Sequence, residues 1–262
     1  MLPENEDRRI VGIGERVEQL EIVSSDEAIN LIEQSDQSAT RKLFMKLVVE
    51  NSSAFWHLFE GGEEACILDA SKFYNQGVDV VLMNGIVKDL TRQLTEIEAD
   101  ICLTAAASGN IITYELADKL NIPEVVYARK GETLIHKHSG SLSTHGDSYT
   151  GGYETQLVVA RDLLKPENRV LVVDDFSDRG KMGLALMGLV ELAEARVAGY
   201  VVGVNKKPAG GEIVIGDELD RLGVGRDKFV YFIGIDSMGT GVVQFEGFSA
   251  GFSLMRDEVN NL

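Results

Sequence analysis

The chain has 262 residues, 44% hydrophobic and 26% charged, with only four prolines; this is the composition of a globular protein with one principal core and not of a disordered segment. A formal net charge of −17 opposes broad binding to nucleic acid or anionic membrane, so neither is expected as a partner, and any phosphate must be held in a local pocket. No apolar run approaches the ~18 residues that span a bilayer, and the first twenty residues lack a signal-peptide core, so a cytoplasmic location is expected.

Two helical patterns open the chain, SDEAINLIEQS and ATRKLFMKLVVENSSAFWHLF, and predict an N-terminal helical extension over 1–60 ahead of a main domain over 61–262. Phe55, Trp56 and Phe59 are expected to pack the extension onto the core or onto a second subunit. Cys66 and Cys102, in apolar surroundings without metal-like spacing, read as reduced core residues. From Asp79 to Ile97 apolar residues recur at helical spacing, with Asp79 placed to cap the start. A buried strand follows from about Ile101 and breaks at Ser108-Gly109; IITYELADKL is a helix ending before Pro123, and EVVYARK is the next strand.

Residues 131–155, rich in Gly, Ser, Thr and His, read as a mobile loop ending in short strands. Its three histidines, His136, His138 and His145, read as solvated and not as a metal site. QLVVARDLL and RVLVVDD are strands, MGLALMGLVELAEA is a helix, and RVAGYVVGVNK is a further strand. Strand and helix alternate over 79–204, which predicts an α/β fold: a parallel sheet with helices on both faces. Beyond Lys207 the glycine-punctuated sequence reads as an antiparallel appendage.

Ligands of such sheets gather beyond the carboxyl ends of the strands. Three strands end in unusual residues: TAAASGN (104–110), YARK (127–130) and DDFSDRGKM (174–182). In the last, a glycine turn runs into a helix, whose first N–H groups and dipole make a cradle for phosphate. Asp174 and Asp175, placed immediately before that cradle, suit sugar hydroxyls or a Mg²⁺ that also binds a diphosphate; the alternative is that they cap the helix.

VLVVDDFSDRGKM resembles the signature for 5-phosphoribosyl diphosphate (PRPP) of type I phosphoribosyltransferases, and the chain over roughly 67–245 is most similar to the xanthine (6-oxopurine) enzymes of that family. ILDASKFYNQGVD resembles their base-binding entry segment, AASGN their pyrophosphate loop, DSYTGG their flexible loop and VAGYVVGVNKK the strand that ends at the purine. The resemblance implies a core over about 79–204 with a small hood built from flanking segments, about 61–78 and 205–245. It implies transfer of the phosphoribosyl group to a 6-oxopurine in purine salvage, Mg²⁺ as cofactor with no protein ligand named, PRPP and a purine base as partners, and a homodimer. Asp174 and Asp175 would bind the ribose hydroxyls, and Ser177, Asp178, Arg179, Gly180, Lys181 and Met182 would wrap the 5′-phosphate, with Asp178 also a proton donor or acceptor for the base. Ala107, Ser108 and Gly109 would face the pyrophosphate, Lys130 would neutralise it, and Arg129 and Tyr149 would support it. Leu68, Asn75 and Lys206 would contact the base.

The sequence departs from the pattern at Met182, where a hydroxyl residue is usual, at Ala106 and Asn205, each in place of an acid, at Gly151 in place of a base, and at Pro208 in place of an aromatic. A non-catalytic PRPP- or nucleotide-sensing regulator with the same fold is the alternative reading.

Overall fold

The computed structural model describes residues 20–58, 64–132, 140–148 and 153–255. A short strand β1 (Ile22–Val23) leads into α1 (Ser25–Gln34) and α2 (Ala39–Asn51). Ser24 and Ser38 start these helices by accepting hydrogen bonds from the N–H groups of Glu27 and Arg41, which no helical carbonyl can reach. The helical pattern expected to continue to Phe59 stops at Asn51. Ser53–Leu58 is instead a strand, β2, paired antiparallel with β3 (Glu64–Asp69) in the register Ser53–Asp69 to Leu58–Glu64. The run Phe55-Trp56-His57 favours a pleated surface, and β3 offers it a partner. β2 and β3 lie on either side of residue 60, where the sequence had suggested a boundary.

A π-helical turn, Ser71–Asn75, precedes α3 (Val80–Gln93), which Asp79 caps through a 3.0 Å bond from the Leu82 N–H. Then follow β4 (Ile101–Ala105), α4 (Asn110–Leu120), β5 (Glu124–Lys130), β6 (Ser141–Ser148), β7 (Tyr153–Ala160), β8 (Arg169–Ser177), α5 (Lys181–Leu192), β9 (Arg196–Lys206), α6 (Gly211–Arg221), β10 (Phe229–Gly239), β11 (Val242–Phe245) and β12 (Gly251–Ser253). The main sheet has the order β1-β12-β11-β10-β9-β8-β4-β5-β7-β6, and its centre, β10 to β5, is parallel throughout.

Two expectations are corrected here. Residues 141–148 and 153–160 form a long hairpin, registered from Ser141–Ala160 to Ser148–Tyr153, where a mobile loop was expected over most of 131–155. Buried Leu142, Leu157 and Val159 anchor it, and the Thr144 hydroxyl donates to the Ala185 carbonyl of α5 at 2.8 Å. The polar residues of β6 hid this period-two pattern. Beyond Lys207 the parallel pattern continues through α6 and β10, so only β11 and the contact of β12 with it are antiparallel. Ile215 and Leu219, four residues apart, give α6 its buried stripe, and the glycines around them obscured it.

The sheet divides the core in two. On one face α1 to α4 and the small hairpin bury Phe44, Tyr74, Leu82, Ile86 and Leu90; on the other α5, α6 and the long hairpin bury Leu186, Leu189 and Ile215. Phe44, on α2, meets Phe73, Tyr74 and Phe232 edge to face at 6.0, 5.6 and 5.8 Å. The N-terminal helices are therefore part of the main core. Phe44→Ala is expected to cost about 3–5 kcal/mol in urea unfolding; a loss below about 1 kcal/mol would show that α2 is only peripherally attached.

Candidate active site

Strand order reverses between β8 and β4: β4 is followed by β5 on one side, while β8 is followed by β9 and β10 on the other. A crevice opens at the carboxyl ends of strands flanking such a point. On the β4 side the chain turns sharply, the Ala106 N–H donating to the Ala128 carbonyl and the Ala107 N–H to the Ala105 carbonyl, each at 2.7 Å. This folds Ala107, Ser108 and Gly109 toward β8. A Cβ on Gly109 would lie only 3.5 Å from the Asp175 nitrogen and 3.6 Å from the Asp174 Cα. Arg129 and Lys130 project, exposed, from the end of β5, whose Ala128 carbonyl pins the same turn.

Asp174 is buried at the end of β8, and its Oδ1 accepts the Asp175 N–H at 3.0 Å. Burial, then the neighbouring Asp175 carboxylate, pushes its carboxyl well above the usual range. Burial raises the Tyr200 phenol as well, with the Asp174 charge adding to the effect. A carboxylate kept out of water beside another carboxylate is suited to hydroxyl donors or a cation brought by a ligand.

The loop from Ser177 to Met182 connects β8 to α5. Gly180 starts α5 with φ 78, a left-handed conformation that other residues resist, so the helix begins immediately and presents its first N–H groups. Gly211, at the start of α6, sits so close to the Asp178 carbonyl that a Cβ there would overlap it. The Arg179 guanidinium donates to the Glu64 carbonyl of β3 at 2.7 Å and ties the loop to the small hairpin.

Lys206 ends β9 in a buried position with its ammonium 5.2 Å from the centre of the Phe176 ring. Burial lowers its pKa, while the nearby Asp178, Cys66 and Asp175 oppose that change. Burial pushes the Cys66 thiol up to about 11, with Lys206 acting against it. Leu68 lies two residues further along the same face of β3, also buried. The Asn75 side-chain carbonyl oxygen is buried without a hydrogen-bond partner, as is that of Asn205, whose Nδ2 donates to Glu212 at 2.7 Å.

The structure thus brings the turn at 107–109, the Asp pair, the loop at 177–182 and Lys206 to one end of the sheet, with β3 joined to it at Glu64 and Cys66 and the turn bearing Asn75 joined to it through the Tyr74 hydroxyl. Tyr149 lies outside the described residues, as do His136, His138 and Gly151. Among the described residues no cluster of three or more His, Cys, Asp or Glu side chains could hold a metal, and no helix is long and apolar enough to cross a membrane. The sequence reading missed Cys66, which belongs with Lys206 and Asp178 and not simply with the core; its spacing of two from Leu68 on a strand was the available signal. It also missed Tyr74, Tyr200 and Glu212.

No family model matches the chain. It is 31% identical over 186 residues to a xanthine phosphoribosyltransferase of Lachnoclostridium phytofermentans, covering 69% of this chain and 90% of the relative. A xanthine phosphoribosyltransferase of Stutzerimonas stutzeri is 28% identical over 179 residues, with 68% and 90% covered. Among solved structures, the adenine phosphoribosyltransferase of Giardia lamblia bound to 9-deazaadenine superposes with a TM-score of 0.54 at 16% identity, covering 69% of this chain and 93% of that one. The Trypanosoma brucei adenine enzyme, complexed with AMP, pyrophosphate and ribose-5-phosphate, gives 0.54 at 18% identity, covering 78% and 81%.

Because the native Asp174 carboxyl keeps its proton well above the ordinary 3.8, the folded state binds more protons than the unfolded chain, and stability falls as pH rises from 3.8 toward the native value. Asp174→Asn removes this penalty. Urea unfolding at pH 7.5 is expected to show the ligand-free variant about 1–3 kcal/mol more stable than the parent, with the gap shrinking toward pH 4; an equal gap at both pH values would show that the carboxyl is not strained by burial.

Proposed function

Since the chain belongs to the type I phosphoribosyltransferases, among the xanthine phosphoribosyltransferases, we propose that it transfers the phosphoribosyl group of PRPP to a 6-oxopurine, xanthine first among them, and releases pyrophosphate. The observation that carries this reading is the Asp174-Asp175 pair at the strand-order reversal, set between the 107–109 turn and the glycine-started α5.

In this reading the ribose hydroxyls donate to Asp174 and Asp175 and offset the burial of Asp174. The 5′-phosphate takes the N–H groups from Ser177 to Met182 and the positive end of α5. Met182 brings no hydroxyl to that loop, so main-chain donors and Lys181 carry the phosphate. The pyrophosphate lies against Ala107, Ser108 and Gly109, with Lys130 and Arg129 on β5 drawing off its charge. Lys206 donates to the purine 6-oxo group, and the unpartnered Asn75 oxygen accepts a purine N–H. A purine ring nitrogen forms the new bond to the anomeric carbon as the bond from that carbon to the pyrophosphate oxygen breaks. Asp178, in the field of Lys206, takes the proton the purine loses.

The donor chemistry fits Mg²⁺: it needs few protein ligands when a diphosphate and ribose supply the oxygens, and Asp174 and Asp175 offer the carboxylates. Bound there, the ion would neutralise the departing diphosphate. The relatives described above are all named as transferases, which favours transfer over sensing.

Pyrophosphate release from PRPP and Mg²⁺, followed with xanthine, guanine, hypoxanthine and adenine, tests the proposal. Release is expected with xanthine and to fall about 10²–10⁴-fold when both aspartates become asparagine, since two charge-assisted hydrogen bonds are weakened. Tight PRPP binding without release for any base would overturn transfer and leave the sensing alternative.

A further inference from the structure

The base seat and the ribose seat come from chain segments about a hundred residues apart, yet the atoms they present must approach within ~3–3.5 Å in a fixed direction. One side chain spans them. Tyr74 lies in the π-helical turn Ser71–Asn75, immediately before Asn75, in a conformation that recurs at functional sites. The turn is closely tied: the Tyr74 N–H donates to Ala70 at 3.0 Å, the Gly77 N–H to Ser71 at 2.7 Å and the Asp79 N–H to Phe73 at 2.9 Å. From it the Tyr74 hydroxyl reaches the Asp175 carbonyl and donates to it at 3.0 Å. It passes over Gly203, where a Cβ would overlap the hydroxyl. The ring is buried and meets Phe176, the residue after Asp175, edge to face at 5.3 Å; Phe44 of α2 closes its other side at 5.6 Å.

We propose that Tyr74 is a positioning residue that fixes the base-binding turn against the ribose-binding carboxylates, with Phe44 of the N-terminal helices as its backstop. This rests on the reading of the site as a phosphoribosyltransferase centre, and it assigns the N-terminal helices a part in the reaction: they keep the two half-sites in register. Each half-site is whole without the strut, so its loss affects their mutual placement more than either binding event.

Tyr74→Phe keeps the ring and removes the link; Phe44→Leu keeps the link and loosens the backstop. Both are expected to lower kcat for transfer, Tyr74→Phe by about 10–100-fold and Phe44→Leu by less, while binary dissociation constants for PRPP and for xanthine stay within about 2-fold. A purely structural Tyr74 would lower the melting temperature and leave kcat of the folded enzyme unchanged, and that result overturns the proposal. Hydrogen exchange supplies a readout independent of turnover: ribose 5-phosphate should protect residues 70–79 in the parent chain and not in Tyr74→Phe. If the parent transfers to no base, the functional reading has failed, while the exchange experiment still decides the strut. Absence of protection in the parent, or equal protection in the variant, overturns it.

Discussion

The arrangement depends on one constraint: Asp174 is held out of water at the end of a buried strand with a second carboxylate beside it. Burial beside a second carboxylate opposes ionisation of Asp174, and keeping such a group there costs the fold stability as pH rises. The surroundings are built to tolerate it. Nine further strands flank β8 on its β9 side and its β4 side within a single sheet, hydrophobic layers lie on both faces, and the Tyr74 and Tyr200 hydroxyls lie close by. On the proposed reading, a ligand whose hydroxyls or bound cation satisfy the Asp174 carboxyl would offset that cost.

Much of this was legible in the chain. A run of aliphatic residues ending in two acids, then glycine and a helix, states a strand-loop-helix unit almost without context, because each element needs those residue types. The alternation over 79–204 and the strand EVVYARK were equally readable: Glu124–Lys130 is the strand itself. What stayed hidden was hidden for physical reasons. The β6–β7 hairpin draws its order from burial of Leu142 and Leu157 against α5, a long-range effect that its serines, threonines and histidine conceal. Helix α6 contains two glycines, Gly211 and Gly216, which weaken its local signal, but tertiary packing at Ile215 and Leu219 outweighs their propensity. At the site, the Asp pair and the glycine turn could be found from local pattern, whereas Cys66, Tyr74 and Glu212 matter only through partners far along the chain.

The N-terminal helices show the same contrast between sequence and space. Read linearly they are an acidic extension with no chemistry of their own. In three dimensions Phe44 stands two aromatic contacts from β8, through Tyr74 and Phe176. Edge-to-face packing is a preferred geometry for aromatic pairs, so α2 is packed onto the site's own strand through a continuous run of ring contacts.

The seat of Gly211 against the Asp178 carbonyl carries a consequence for how this protein tolerates change. The loop from Ser177 to Met182 is closed from behind by the backbone of a helix more than thirty residues downstream, so its shape is inherited from two separate stretches of the gene. Variation inside the signature is limited by the ligand, but variation at position 211 is limited by the signature itself. A mutational scan would find there a site as intolerant as the aspartates, on a residue without a side chain to offer a substrate.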